Sequence, residues 1–133
     1  MNHKNVARVL RADGAFNLLA GLALLFFYRP VIELIGWPDT DAPIYANVLG
    51  AALIGLSLAV LFAANHPESS RDTILASVVA KGLAGVAILY WVFVAGIELP
   101  SPWLLPAAVG VQVLFVLGEA AYLVSHARST TDA

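Results

Sequence analysis

The chain has no cysteine, a single methionine and few charges. Without cysteine there can be no disulfide, no thiolate metal site and no cysteine nucleophile, so stability must come from packing. Charged residues make up 12% of the chain, about half the share of a soluble domain, while 60% is hydrophobic. Too little polar surface is available to coat a globule in water. With a net charge of -2 and no run of Lys or Arg, nothing can track a phosphate backbone, and nucleic-acid binding is excluded. The three histidines, His3, His66 and His126, lack the paired spacing that places two imidazoles on one helix face, so no metal site is expected. No nucleophile-base-acid constellation, phosphate loop or dinucleotide fingerprint is present. The expectation is a protein that is not an enzyme and carries no cofactor.

What the chain does have is length in its apolar runs. A helix needs about 20 residues, at about 1.5 Å each, to cross about 30 Å of hydrocarbon. Residues 44–64 contain no charge, 73–97 contain only Lys81, and 103–124 contain only Glu119. The uncharged stretch 14–28 is short, so a first helix over about 6–28 must take Arg8, Arg11 and Asp13 into its opening turns, with Pro30 ending or kinking it. A basic start before an apolar run also fits a cleaved signal peptide, but this run leads into Arg29-Pro30 rather than a small-x-small site, which favours a retained helix. The connections carry turn chemistry: Gly36-Trp37-Pro38-Asp39 with Pro43, residues 65–70 around Pro67, and Pro100-Ser101-Pro102. Such short links make neighbouring helices antiparallel. The expected fold is all-α: one transmembrane domain over 1–133, an integral membrane four-helix bundle running up-down-up-down. Residues 31–35 are too few to span and are expected at the interface.

Orientation follows from the basic residues. Lys4, Arg8, Arg11, Arg71, Lys81 and Arg128 fall on one side and Arg29 alone on the other, so both termini are expected in the cytoplasm of a multi-pass protein of the cell inner (plasma) membrane. The opposite side holds Glu33, Asp39, Asp41 and Glu98 together with Tyr28, Trp37, Tyr45, Tyr90, Trp91 and Trp103. These aromatics read as an interfacial belt, the alternative being the mouth of an aromatic-lined pocket.

The two halves echo one another. Residues 19–25, LAGLALL, correspond to 83–89, LAGVAIL; Ile32-Glu33-Leu34 recurs as Ile97-Glu98-Leu99, and Asn47-Val48-Leu49 as Gln112-Val113-Leu114. A duplication would make the bundle two tandem helical hairpins with pseudo-two-fold symmetry about the membrane normal; the competing explanation is the small alphabet of apolar segments.

Ionisable groups inside a span cost about 2.5–3.5 kcal/mol each on insertion scales and usually face the bundle interior. Asp13, Lys81 and Glu119 fall at one depth, about 10 Å from the cytoplasmic helix ends. Asn17 lies one turn from Asp13, and Ser77 one turn from Lys81, on a stripe that continues through Ala84, Gly85 and Ile88. Gln112, Glu119 and His126 share a face at seven-residue spacing, while Ala51, Gly55 and Ala59 give the second helix a stripe of small residues suited to close helix contact. Three readings of the cluster Asp13, Asn17, Lys81 and Glu119 compete. Lys81 neutralises a carboxylate and pins the helices in register; or it snorkels to the headgroups; or two carboxylates beside one lysine leave an excess negative charge that relays protons or binds a cation. The amides Asn47 and Gln112 can anchor a small polar ligand or simply bond across helices.

The pattern from Arg11 to Asn17, the glycine at Gly21, the Gly36-Trp37-Pro38 exit and the small-residue second helix with Gly50 and Gly55 resemble the small bacterial four-helix membrane proteins of the DoxX-like kind. The resemblance covers most of the chain in helix count and glycine placement and does not include the acid-lysine cluster. It implies an accessory subunit beside redox or stress-response membrane complexes. The expected function is therefore a small accessory or structural membrane protein, with the lipid bilayer and either a second copy or a larger complex as partners. The alternatives are a proton, ion or solute transporter or channel built on the acid-lysine cluster, and a binder of a lipid or quinone-like molecule held by Asn47 and Gln112.

Overall fold

The computed structural model describes residues 3–35, 44–94 and 104–131, with side chains throughout except at 35, 91, 92, 104–106 and 126–131. Trp37, Trp103, the side chain of Trp91, the 36–43 and 95–103 connections and the side chain of His126 lie outside the described residues, so the tryptophan half of the aromatic belt and the Ile97-Glu98-Leu99 echo do too, while Tyr45 and Tyr90 stand exposed. Among the described residues five helices follow one another: α1 (His3–Phe26), α2 (Tyr28–Ile35), α3 (Ile44–Ala63), α4 (Arg71–Phe93) and α5 (Leu104–Thr131). No strand occurs among the described residues. Helices α1, α3, α4 and α5 are long and apolar enough to cross a membrane. The protein is an all-helical membrane four-helix bundle.

Local chemistry sets the element ends. The ring of Pro30 collides with the carbonyl four residues back and offers it no N–H, so α1 stops at Phe26 and α2 restarts at Tyr28. The chain stays nearly helical across the break, because Phe27 donates to the Ala23 carbonyl at 2.8 Å and Val31 to the Phe27 carbonyl at 3.1 Å. Between α3 and α4 the turn closes through Asn65 to Phe62 O at 3.1 Å and His66 to Ala63 O at 3.2 Å. Asp72, in the first turn of α4, complements the helix dipole. Helix α5 runs to Thr131, beyond the apolar limit near 124, because nothing in its polar last turns breaks a helix.

The four long helices form a ring in the order α1, α3, α4, α5, with α5 closing against α1, so that α1 and α4 face each other across the centre. We call the end with the start of α1, the 64–70 turn and the end of α5 basal, and the opposite end distal. The basal end is sealed by Val6, Leu10, Val60, Ala63, Ala64, Ile74 and Tyr122, each 0–2% exposed.

Helices α1 and α3 touch backbone to backbone. A Cβ on Gly21 would stand 2.8 Å from the Gly50 carbonyl oxygen, and one on Gly50 2.8 Å from that of Gly21. A Cβ on Gly14 would meet the Leu61 side chain at 2.6 Å. Only glycine allows this approach. The small stripe expected to make contact, Ala51, Gly55 and Ala59, does not carry it: Ala51 and Gly55 are exposed and a Cβ on Gly55 would meet nothing within 4 Å. The inward face of α3 is instead Ala46, Gly50, Ser57 and Val60. The distinction escapes the sequence because both stripes are small and apolar.

The second hairpin packs differently. In the echo, Gly85 corresponds to Gly21 and Phe115 to Gly50; a Cβ on Gly85 would meet nothing within 4 Å, and Phe115 packs its ring 6.1 Å from Phe16. Outside the bundle, Leu19, Phe62, Leu83, Phe93 and Leu114 stand 67–78% exposed, whereas Asp13, Asn17, Ser57, Ser77 and Glu119 are buried. This inversion of the water-soluble pattern is what a hydrocarbon solvent selects.

Candidate functional site

Three helices each bring one ionisable side chain to the bundle centre. Lys81, on α4, reaches across the ring to α1 and donates to Asp13 Oδ2 at 2.6 Å, and on the way donates to Glu119 Oε1 of α5 at 2.8 Å. Both carboxylates are fully buried and the lysine side chain is 6% exposed. The side chain is therefore drawn inward and does not snorkel to the rim. Its four-carbon stem is what lets a residue of the opposite helix reach α1.

The network continues in the distal direction. Asn17, one turn above Asp13 on the same face, donates through Nδ2 to Asp13 Oδ1 at 2.7 Å and to the Asp13 carbonyl at 3.0 Å. Its Oδ1 accepts from Gln112 Nε2 of α5 at 2.7 Å. The sequence Glu119–Lys81–Asp13–Asn17–Gln112 thus starts and ends on α5, whose two members are seven residues, or about 10 Å, apart along the axis. Because α5 runs antiparallel to α1, the acid of α5 meets the acid level of α1 and its amide meets the amide level.

The two amides read together in the sequence are separated. Gln112 belongs to the network. Asn47 lies one turn distal of Gly50, at the level where α1 is ending, which places it roughly 13 Å beyond Asn17 along the axis. Its Oδ1 is buried without a partner. An anchor made of Asn47 and Gln112 acting together has no geometric basis here.

Three further buried residues belong to the picture. Ser77 sits one turn basal of Lys81, fully buried, with an unpartnered Oγ. Ser57 turns its hydroxyl back to the Leu53 carbonyl at 2.5 Å and so satisfies itself within α3. Tyr122, three residues after Glu119, is 1% exposed and closes the basal side, its Oη 3.5 Å from His3 Nδ1 and its ring edge-on to the imidazole. The spacing from Glu119 was the available signal for Tyr122; the fully apolar run around Ser57 gave none. At the basal rim His3 and His66 flank Glu68 at 4.0 and 3.9 Å, all more than half exposed, an arrangement screened by solvent. Among the described residues no group of three His, Asp or Glu side chains is arranged to hold a metal ion.

Chemically, the centre is a buried ion triad with amide extensions. One ammonium serves two carboxylates. No family model matches the chain, nor does any curated protein or solved structure.

Proposed function

We propose that the protein is a small structural or accessory subunit of the plasma membrane, a helical scaffold whose register is locked by the Lys81 triad and which associates with itself or a larger complex. The observation that carries this reading is the double grip of Lys81 on Asp13 and Glu119, at 2.6 and 2.8 Å and almost without exposure. A lysine bound to two acids on two other helices fixes their depth relative to one another. A slip of one turn on any of the three helices would move its charge by about 5.4 Å and leave it unpaired in low dielectric. Nucleophilic chemistry needs a substrate to reach the charged groups, and the seven apolar residues at the basal end deny that from one side.

Accessory association draws support from the apolar surface of α3 and α4 and from the DoxX-like pattern of Arg11 to Asn17, Gly21, Gly50 and Gly55. The positive-inside distribution supports cytoplasmic termini. Extraction of native membranes in a mild detergent tests the reading: the chain is expected to migrate in an assembly well above its own 14.0 kDa. Migration as a single chain, together with ion flux in liposomes that Glu119→Gln removes, would overturn it in favour of transport. One observation favours that second reading: the triad contains one carboxylate more than its lysine can neutralise.

A further inference from the structure

The network leaves several buried oxygens without a partner. Among the buried side-chain atoms without a partner, Glu119 Oε2, Gln112 Oε1 and Asn47 Oδ1 can only accept in their ordinary forms, and Ser77 Oγ can do either. Lys81 spends two of its three N–H groups on the carboxylates, Asn17 serves Asp13, and Gln112 serves Asn17, so donors remain to spare and it is the charge that decides. The charges are unbalanced. Asp13 and Glu119 face one ammonium, leaving one negative charge, and every other described Lys or Arg (Lys4, Arg8, Arg11, Arg29 and Arg71) is exposed. Water could satisfy the lone oxygen but would leave the charge uncompensated. A single positive charge would satisfy both.

We propose that the bundle centre binds one monovalent cation on Glu119 Oε2, with Ser77 Oγ as its neighbouring oxygen. Both side chains are 0% exposed, and both belong to the interior faces of α4 and α5 that Lys81 joins. Gln112 Oε1 lies about two turns distal of Glu119, too far to share a coordination shell, and serves as a polar step on the approach. That approach is from the distal side, because the basal side is closed by Val6, Leu10, Ile74 and Tyr122. The shared chemistry is one positive charge on a carboxylate oxygen, and it has two sources: an alkali cation or a proton delivered from water. The site is independent of the scaffold reading, since a monomer can bind the cation and an assembly can lack it.

Unfolding of the detergent-solubilised full chain, followed in sodium, potassium or choline chloride at fixed ionic strength, distinguishes the sources. The titratable and charged groups facing Glu119 are Asp13 of α1, Lys81 of α4 and Tyr122 of its own helix, with His3 beyond Tyr122. The measurements are therefore made with His3→Asn, His66→Asn and His126→Asn in the background, so that none of the three imidazoles contributes. If the source is an alkali ion, sodium or potassium raises stability saturably over choline, by about 100-fold in the folding constant at 100 times Kd. Glu119→Gln removes the effect and Ser77→Ala weakens it. If the source is a proton, the alkali ions act alike, and in choline the folded protein holds one more proton than the unfolded chain at pH values above the ordinary glutamate pKa of about 4.3, a difference that Glu119→Gln erases. Identical behaviour in all three salts with no such proton difference overturns the proposal and leaves a buried water alone. Should Glu119→Gln fail to fold, the salt and proton curves of the background protein and of Ser77→Ala decide the matter by themselves.

Discussion

Replacing Lys81 with methionine is the sharpest test of the triad, because it keeps the length and flexibility of the side chain while deleting its charge. Two hydrogen bonds to ionised partners are lost, each worth about 1.5–3 kcal/mol, which brackets the cost at about 3–6 kcal/mol. Breaking a buried ion pair by removing one partner costs about 3–5 kcal/mol in measured systems, so the two routes agree. In a membrane the disassembled helices still find polar partners, which trims the value; about 3 kcal/mol is expected, or roughly 100-fold in the unfolding constant. The assay is reversible unfolding in mixed micelles, with loss of helix packing followed spectroscopically. Lys81→Arg should recover part of the loss, since the guanidinium keeps the charge. The triple variant Asp13→Asn, Lys81→Met, Glu119→Gln should recover most of it, because no uncompensated charge remains inside. A Lys81→Met protein within about 0.5 kcal/mol of the parent, the range of an ordinary surface substitution, would refute the reasoning and mean that the ammonium resides at the headgroups.

The glycine crossing makes a second prediction: Gly21→Ala and Gly50→Ala each place a Cβ 2.8 Å from a carbonyl oxygen and should destabilise by about 1–3 kcal/mol in the same micelle assay. Gly55→Ala and Gly85→Ala meet open space and should be neutral or stabilising by up to about 1 kcal/mol. Gln112→Leu removes one bond to Asn17 together with an unpartnered oxygen, so its loss should stay within about 0.6–2 kcal/mol, smaller than that of Lys81→Met. Transfer of the purified chain into buffer without amphiphile should precipitate it, measured by light scattering, because Phe62, Leu83, Phe93 and Leu114 stand outside the bundle; a monodisperse sample would overturn the membrane reading.

The membrane fold was legible because it rests on composition and run length, which no tertiary contact can override: 44–64 has no charge at all, and α3 occupies Ile44–Ala63. The triad was legible for a related reason. Counting residues from the helix ends put Asp13, Lys81 and Glu119 at one depth, and in a bundle of antiparallel helices equal depth is most of what contact requires. Rotation about each helix axis was harder to read. On α3 the choice between Gly50 and Gly55 as the contacting glycine depends on which face turns inward, and an almost uniformly apolar helix has no polar face to announce it. Asn47 and Gln112 were paired by the echo between the halves: their sequence surroundings match, but their depths differ. Ser77 was visible only as a hydroxyl one turn from a lysine, and its unpartnered oxygen is a property of three dimensions.

The bundle is held together by two unlike devices, and their division of labour follows from the residues. Between α1 and α3 the contact is backbone against backbone through Gly21 and Gly50, a fit that depends on shape and is indifferent to salt or ionisation. The attachment of α4 to α1 depends on one long side chain, because these helices face each other across the ring and a Cβ on Gly82 or Gly85 meets nothing within 4 Å. Helix α5 joins the same attachment through Glu119 and Gln112. Any change in the charge of the triad therefore loosens α4 and α5 from α1 while leaving the α1–α3 pair intact. Cross-links offer a direct discrimination: in the Lys81→Met protein a cysteine pair placed across Gly14 and Leu61 should still form its disulfide as readily as in the parent, whereas one placed across Val9 and Gly118 should form more slowly. Equal slowing at both would show that the bundle responds as a single unit and that the two devices are not separable.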